Sequence, residues 1–138
     1  MDTPQPHVLY VEDDPRSRKL MQMLLQGRMG LQHVTIFEDS FNFPEKLALM
    51  NPKPDIIFLD IHVEPYDGFD MLAYLRDQPW AQSVPIVALT ASVMNEEIHR
   101  LKTAGFNGCL SKPVDLNTFP EIFDRILNME AIWGILHY

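Results

Sequence analysis

Three short runs of this chain, Val8–Val11, Ile56–Leu59 and Ile86–Leu89, are apolar at nearly every position. Strands buried on both faces read this way, because helices cover each side of a parallel sheet. Two weaker strands complete the set: His33–Phe37, with alternation and β-branched residues, and Gly108–Ser111, after a glycine-containing stop. Segments of helical spacing lie between them. In Arg16–Gln26 the residues Leu20, Met21, Leu24 and Leu25 form one apolar stripe, and in Phe69–Leu75 Leu72 and Leu75 face inward. The element boundaries carry their own markers. Asp14–Pro15 sets a carboxylate N-cap before a proline at the first helical position, Ala104–Gly105 supplies a glycine where a helix ends, and Asp115 is placed to cap the last helix.

Five strand–helix units predict a doubly wound α/β domain, with helices on both faces of a parallel sheet. In such folds functional residues gather at the carboxyl ends of the strands. Glu12, Asp13 and Asp14 end the first strand, Asp60 the third and Thr90 the fourth, while Lys112 followed by Pro113 ends the fifth. Carboxylates converging on one rim repel each other and are costly to desolvate together unless a divalent cation or a lysine balances them. A Mg²⁺ site is the simplest resolution, since that ion takes hard oxygen ligands and keeps several waters.

Composition narrows the field. The 138 residues, 46% of them hydrophobic, suit one domain with a substantial core, read here as a core of about 7–127 and an extension over 128–138. The 11 Lys and Arg against 19 Asp and Glu give a net charge of −8, which repels a nucleic-acid backbone. The single cysteine forms no internal disulfide, and the amino-terminal residues lack a secretory pattern, so the expectation is a cytosolic protein. No apolar run approaches the roughly 20 residues that cross a bilayer. The eight methionines lie mostly at helical spacing and read as core filling.

VLYVEDD, DIIFLD, ALTA and LSKP occur in the order and spacing of response regulator receiver domains, and the resemblance runs from about Val8 to Leu127. Each motif is short, so the specificity lies in their combination at successive strand ends. The resemblance implies a flavodoxin-like sheet of order 2-1-3-4-5. It makes Asp60 the acceptor of a phosphoryl group from a histidine kinase or histidine phosphotransfer protein, a covalent capture by a carboxylate. It makes Glu12 and Asp13 the acidic pair that holds Mg²⁺ together with Asp60 and the backbone carbonyl of His62. Lys112 and Thr90 are the implied partners of the phosphoryl oxygens, and the peptide bond before Pro113 is implied to be cis. Asp14 is left over and reads as an N-cap. Asp67–Gly68 matches the turn into the third helix.

The implied role is a stand-alone switch, not an enzyme acting on other molecules, whose output is a protein contact with a downstream effector. The surface of the fourth helix, fifth strand and fifth helix is its implied readout. Two rival readings are a degenerate receiver acting without phosphorylation and a flavodoxin-like nucleotide or flavin binder. The retained rim residues weigh against the first, and an acidic segment where a phosphate-cradling loop is needed weighs against the second. Three departures from the family pattern stand out. Cys109 occupies a position often aromatic and reads as a buried small apolar residue; Pro65 lies one place later than is common; and the tail Asn128–Tyr138 carries Ile132, Trp133, Ile135, Leu136 and Tyr138. That much apolar surface either packs back on the domain or forms a docking or homodimer surface, and the second is favoured because exposed apolar patches mark association. His62 and Ser92 stand at positions that in the family tune how water reaches the site; here His62 reads equally as a residue that orients or blocks water and as a surface imidazole with no special role.

Overall fold

The computed structural model describes residues 5–134. Five parallel strands, β1 (Val8–Val11), β2 (Val34–Phe37), β3 (Ile56–Asp60), β4 (Ile86–Thr90) and β5 (Gly108–Ser111), form one sheet in the order β2-β1-β3-β4-β5. The crossover helices are α1 (Pro15–Gln22), α2 (Phe43–Leu49), α3 (Gly68–Arg76) and α4 (Asn95–Ala104), and α5 (Phe119–Leu127) follows the last strand. The expected class and strand order are both present.

Strand side chains alternate between two cores, as the period of two requires. Leu9, Val11, Ile57, Leu59, Ile86, Ala88 and Cys109 face the layer of α2, α3 and α4, where they meet Phe43, Leu47, Met71, Leu72, Leu75 and Leu101. Val8, Tyr10, Ile56, Phe58, Val87, Leu89 and Leu110 face α1 and α5, meeting Met21, Leu24, Leu25, Phe119, Phe123 and Ile126. This double coverage explains the unbroken apolar runs of β1, β3 and β4. Edge strand β2 is only half-buried over most of its length, hence its weaker signal.

Several boundaries form as expected. Asp14 accepts a hydrogen bond from the Arg16 amide at the start of α1, with Pro15 in the first turn. Gly105 ends α4 at φ +110°, in the left-handed region open to glycine. Asp67 caps α3 through a reciprocal box with Asp70. Two expectations need correction. The first helix does not run evenly to Gln26: α1 passes into a π-helical turn, Met23–Arg28, which keeps Leu24 and Leu25 buried while Leu20 is only half-buried. Asp115 does not cap α5; its carboxylate accepts from the Asn117 amide in a preceding turn, and α5 begins at Phe119 with Pro120 in its first turn.

The tail does not extend α5. Ile132 is buried in the α1–α5 core and Trp133 packs on the other core, while Cys109 and Trp133 pair in parallel at the outer edge of β5. For these two side chains the expected intermolecular contact is therefore replaced by packing within the chain. The contact is satisfied locally because the unpaired edge of β5 offers the tail backbone both a donor and an acceptor. Ile135, Leu136 and Tyr138 lie outside the described residues.

Candidate functional site

The carboxyl ends of β1, β3, β4 and β5 bring together the side chains expected on the rim. Each of Glu12, Asp13 and Asp60 offers a carboxylate oxygen, and these oxygens lie within 4.8 Å of one another. Glu12 is fully buried and Asp60 is 3% exposed, whereas Asp13 faces solvent. Two buried carboxylates at this spacing demand positive charge. Lys112 supplies part of it, its Nζ standing 3.0 Å from Glu12 Oε1, 3.2 Å from Oε2 and 3.4 Å from Asp60 Oδ2. The lysine is held beside β4 by its backbone, whose amide donates to the Thr90 carbonyl (2.8 Å). The Lys112–Pro113 bond is cis, as the resemblance implies.

The electrostatics reflect this crowding. Burial pushes the Glu12 carboxyl above its ordinary range, and hydrogen bonding with Asp60 adds to the rise, against the opposing pull of Lys112 and Tyr10. For Lys112, burial pulls the ammonium down, yet Glu12 and Asp60 outweigh it and the net shift is upward. An all-oxygen set of three carboxylates with one lysine as counter-charge is a cluster that can hold a hard metal ion. Asp14 stands apart from it, occupied by its capping bonds to Arg16 and Ser17.

Thr90, 2% exposed, ends β4 beside Asp60, and its Oγ1 accepts from the Ser92 amide (3.2 Å). The His62 amide donates to Asp60 Oδ1 (3.2 Å), which places the residue after next against the carboxylate while its imidazole points to solvent. Ala91 and Ser92 are likewise exposed, so the rim is open on this side. Cys109 is fully buried, and burial chiefly holds its thiol above the ordinary range, consistent with the apolar reading.

Three supporting residues escaped the sequence reading. Tyr10 Oη donates to Glu12 Oε1 (2.8 Å), and burial followed by the neighbouring Glu12 keeps the phenol strongly protonated. Residues i and i+2 share a strand face, which was the available signal. Arg18 donates to the carbonyls of Glu12 (3.1 Å) and Asp13 (2.8 Å), fixing the acidic segment from α1. Ser40 pins the loop after β3: its hydroxyl donates to the Tyr66 carbonyl (2.6 Å) and accepts from the Tyr66 amide (2.7 Å), and its own amide donates to the Glu64 carbonyl (3.2 Å). Pro65, at the departure noted above, follows a cis peptide bond in this pinned loop.

A doubly wound sheet with a lysine-balanced acidic cluster at its switch-point rim defines the class, and comparison gives the family. The response regulator receiver domain model matches residues 8–124, and the chain belongs to that family. An uncharacterized 14.6 kDa protein of Leptolyngbya boryana is 32% identical over 112 residues, covering 80% of this chain and 82% of that protein. The sensor histidine kinase RcsC of Salmonella typhimurium is 31% identical over 116 residues, which cover 83% of this chain but only 11% of the kinase. Among solved structures, the receiver domain of the sensor histidine kinase PA1611 from Pseudomonas aeruginosa is 26% identical, with a TM-score of 0.77 over 91% of this chain and 99% of that one. It carries a magnesium ion coordinated in its active site cleft. Among the described residues no helix is long and apolar enough to cross a membrane.

Proposed function

We propose that this receiver accepts a phosphoryl group on Asp60 from a histidine kinase or a histidine phosphotransfer protein and signals through phosphorylation-dependent contacts with an effector protein. The observation that carries the reading is the buried Asp60 carboxylate held against Glu12 and Lys112 at the open rim. In the transfer, a carboxylate oxygen of Asp60 forms a bond to phosphorus as the phosphorus–nitrogen bond of the donor breaks, and the departing imidazole takes up a proton from water at the open rim. Lys112 faces the reacting oxygens as a compact positive charge, and the Thr90 hydroxyl turns to donate to the same group. Glu12, Asp13, Asp60 and the His62 carbonyl are the residues that would hold Mg²⁺. When bound, that ion supplies further neutralisation of charge on the transferring group. The kinase context of the RcsC and PA1611 relatives supports the choice of donor. The chain modifies itself and is thus a signalling phosphoprotein, not an enzyme turning over external substrate.

The test is intact mass after incubation with acetyl phosphate, with and without Mg²⁺, for wild type and Asp60→Ala. One phosphoryl adduct on wild type alone, dependent on Mg²⁺, is expected. No adduct on a folded, Mg²⁺-binding wild type overturns the reading in favour of a phosphorylation-independent binding module.

A further inference from the structure

After α5 the chain reverses at Met129, whose φ is +66°, and the Glu130 amide donates to the Arg125 carbonyl (3.0 Å). The following residues run beside β5 in the same direction, toward the rim. The Cys109 amide donates to the Ile132 carbonyl (2.8 Å), and the Gly134 amide donates to the Cys109 carbonyl (2.8 Å). Side chains on either side of this short bridge enter different layers: Ile132 joins the α1–α5 core, and Trp133 lies against the other, with the Lys102 ammonium 5.2 Å from its ring centroid. Two glycines make the approach possible. A Cβ on Gly108 would sit 2.5 Å from the Ile132 carbonyl oxygen, and one on Gly134, where φ is +64°, would sit 3.3 Å from Val93 Cβ and 3.2 Å from Ile98 Cδ1. This is a built contact.

Its upper end touches the segment leaving the functional site. Val93 follows Thr90 by three residues, and the intervening Ser92 amide is hydrogen-bonded to Thr90 Oγ1. A threonine hydroxyl that turns to donate to a new anion on Asp60 while its oxygen keeps this amide draws Ser92 with it, and the Val93 wall of the Gly134 seat is carried along. Among the described residues two backbone hydrogen bonds hold the bridge, so a small displacement there has leverage over Ile132–Gly134.

We infer that Ile132–Gly134 is a latch on the edge of β5 that opens when Asp60 is phosphorylated, baring the strand edge at Gly108–Cys109 and the Trp133 seat as a docking surface for an extended partner segment. Such a segment would pair with the freed Cys109 amide and carbonyl and set apolar or aromatic side chains where Ile132 and Trp133 leave, a mode of strand addition. The inference rests on the proposed phosphorylation of Asp60.

The experiment is residue-resolved hydrogen exchange on the full chain, before and after treatment with acetyl phosphate and Mg²⁺, with intact mass recorded on the same samples. The expected result is exchange about tenfold faster at the Cys109 and Gly134 amides in the phosphorylated protein, with the β1 amides unchanged. A full adduct with unchanged exchange at both amides overturns the latch and leaves the phosphorylation reading intact. No adduct overturns that reading, and the latch with it. Linkage supplies a second measurement, because a ligand-coupled opening must act in both directions. Gly134→Val, which wedges the seat open, is expected to accept phosphoryl several-fold faster than wild type, and an equal rate overturns the coupling.

Discussion

Replacing Lys112 by methionine keeps an unbranched apolar stem among Tyr10, Leu89 and Val114 while removing the charge that faces Glu12 and Asp60. Removing one partner of a buried ion pair costs about 3–5 kcal/mol. Two features lower that figure here. The lysine side chain is 21% exposed, so water already screens part of the interaction. The orphaned carboxylates can also escape by taking up one proton. For a carboxyl with a reference pKa of 4.5, protonation at pH 7 spans about 2.5 pH units at about 1.4 kcal/mol each, a ceiling of about 3.5 kcal/mol. The expected loss in EDTA is therefore about 2–3 kcal/mol at pH 7 and under about 1 kcal/mol at pH 5, where the ceiling nearly vanishes. Excess Mg²⁺ at pH 7 should substitute for the missing cation and return most of the difference. Urea unfolding followed by the fluorescence of Trp80 and Trp133, comparing variant with wild type at each pH with EDTA or Mg²⁺, measures all four values. A loss equal in every condition would refute the electrostatic account and leave Lys112 as a packing residue.

The same site sets a pH dependence for the wild type. A carboxyl raised in the folded state retains its proton while the unfolded chain releases it, so the Glu12 contribution is present below 4.5 and declines as pH climbs toward the raised value. Because metal binding needs ionised ligands, the melting-temperature gain from Mg²⁺ should grow between pH 5 and pH 8, and a gain independent of pH contradicts this. The Lys112 contribution, raised in the folded state, should persist through neutral pH and fade only above 10.5, as an alkaline denaturation series would show. Gly68→Ala should cost about 1–3 kcal/mol despite better helix propensity, since its Cβ would meet Ile61 Cδ1 at 2.8 Å and Ile61 Cα at 2.9 Å. The displaced backbone adjoins Asp60, so slower phosphorylation should accompany the loss; a stabilised variant would contradict both. Arg76→Met should lose about 2–4 kcal/mol in chemical denaturation, because its guanidinium donates to the carbonyls of Ala81, Val84 and Gly105 and to Asn107 Oδ1. Phosphorylation well below its melting temperature should be unaffected.

The interior strands were legible because burial on both faces leaves an uninterrupted apolar run, and the rim followed because the residue ending each run is polar. Glu12, Asp60, Thr90 and Lys112 stand where that logic puts them. Tyr10 passed for core, since a tyrosine inside an apolar run reads that way, although its place two residues before Glu12 sets both on one face. Asp115 misled because an aspartate near a helix start looks like a cap, whereas Pro120 fixes the first turn of α5 further along. The tail misled for a related reason: Ile132 and Trp133 are adjacent and apolar, a pattern with neither helical nor strand period that only the exposed edge of β5 explains. The π-helical turn after α1 has no sequence marker and emerges from the demand to keep both Leu24 and Leu25 inside.

The parity of the strands has a mechanical consequence. Asp60 shares its sheet face with Ile56 and Phe58, which root in the layer of α1 and α5, whereas Thr90 shares its face with Ile86 and Ala88, which root in the layer of α2, α3 and α4. A group attached to Asp60 and gripped by Thr90 would be a rivet through the sheet, tying one slab to the other by side chains from opposite faces. The slab bearing the carboxylate is the chassis, anchored by the clustered rings of Phe58, Phe119 and Phe123. The slab bearing Thr90 is the side free to be pulled.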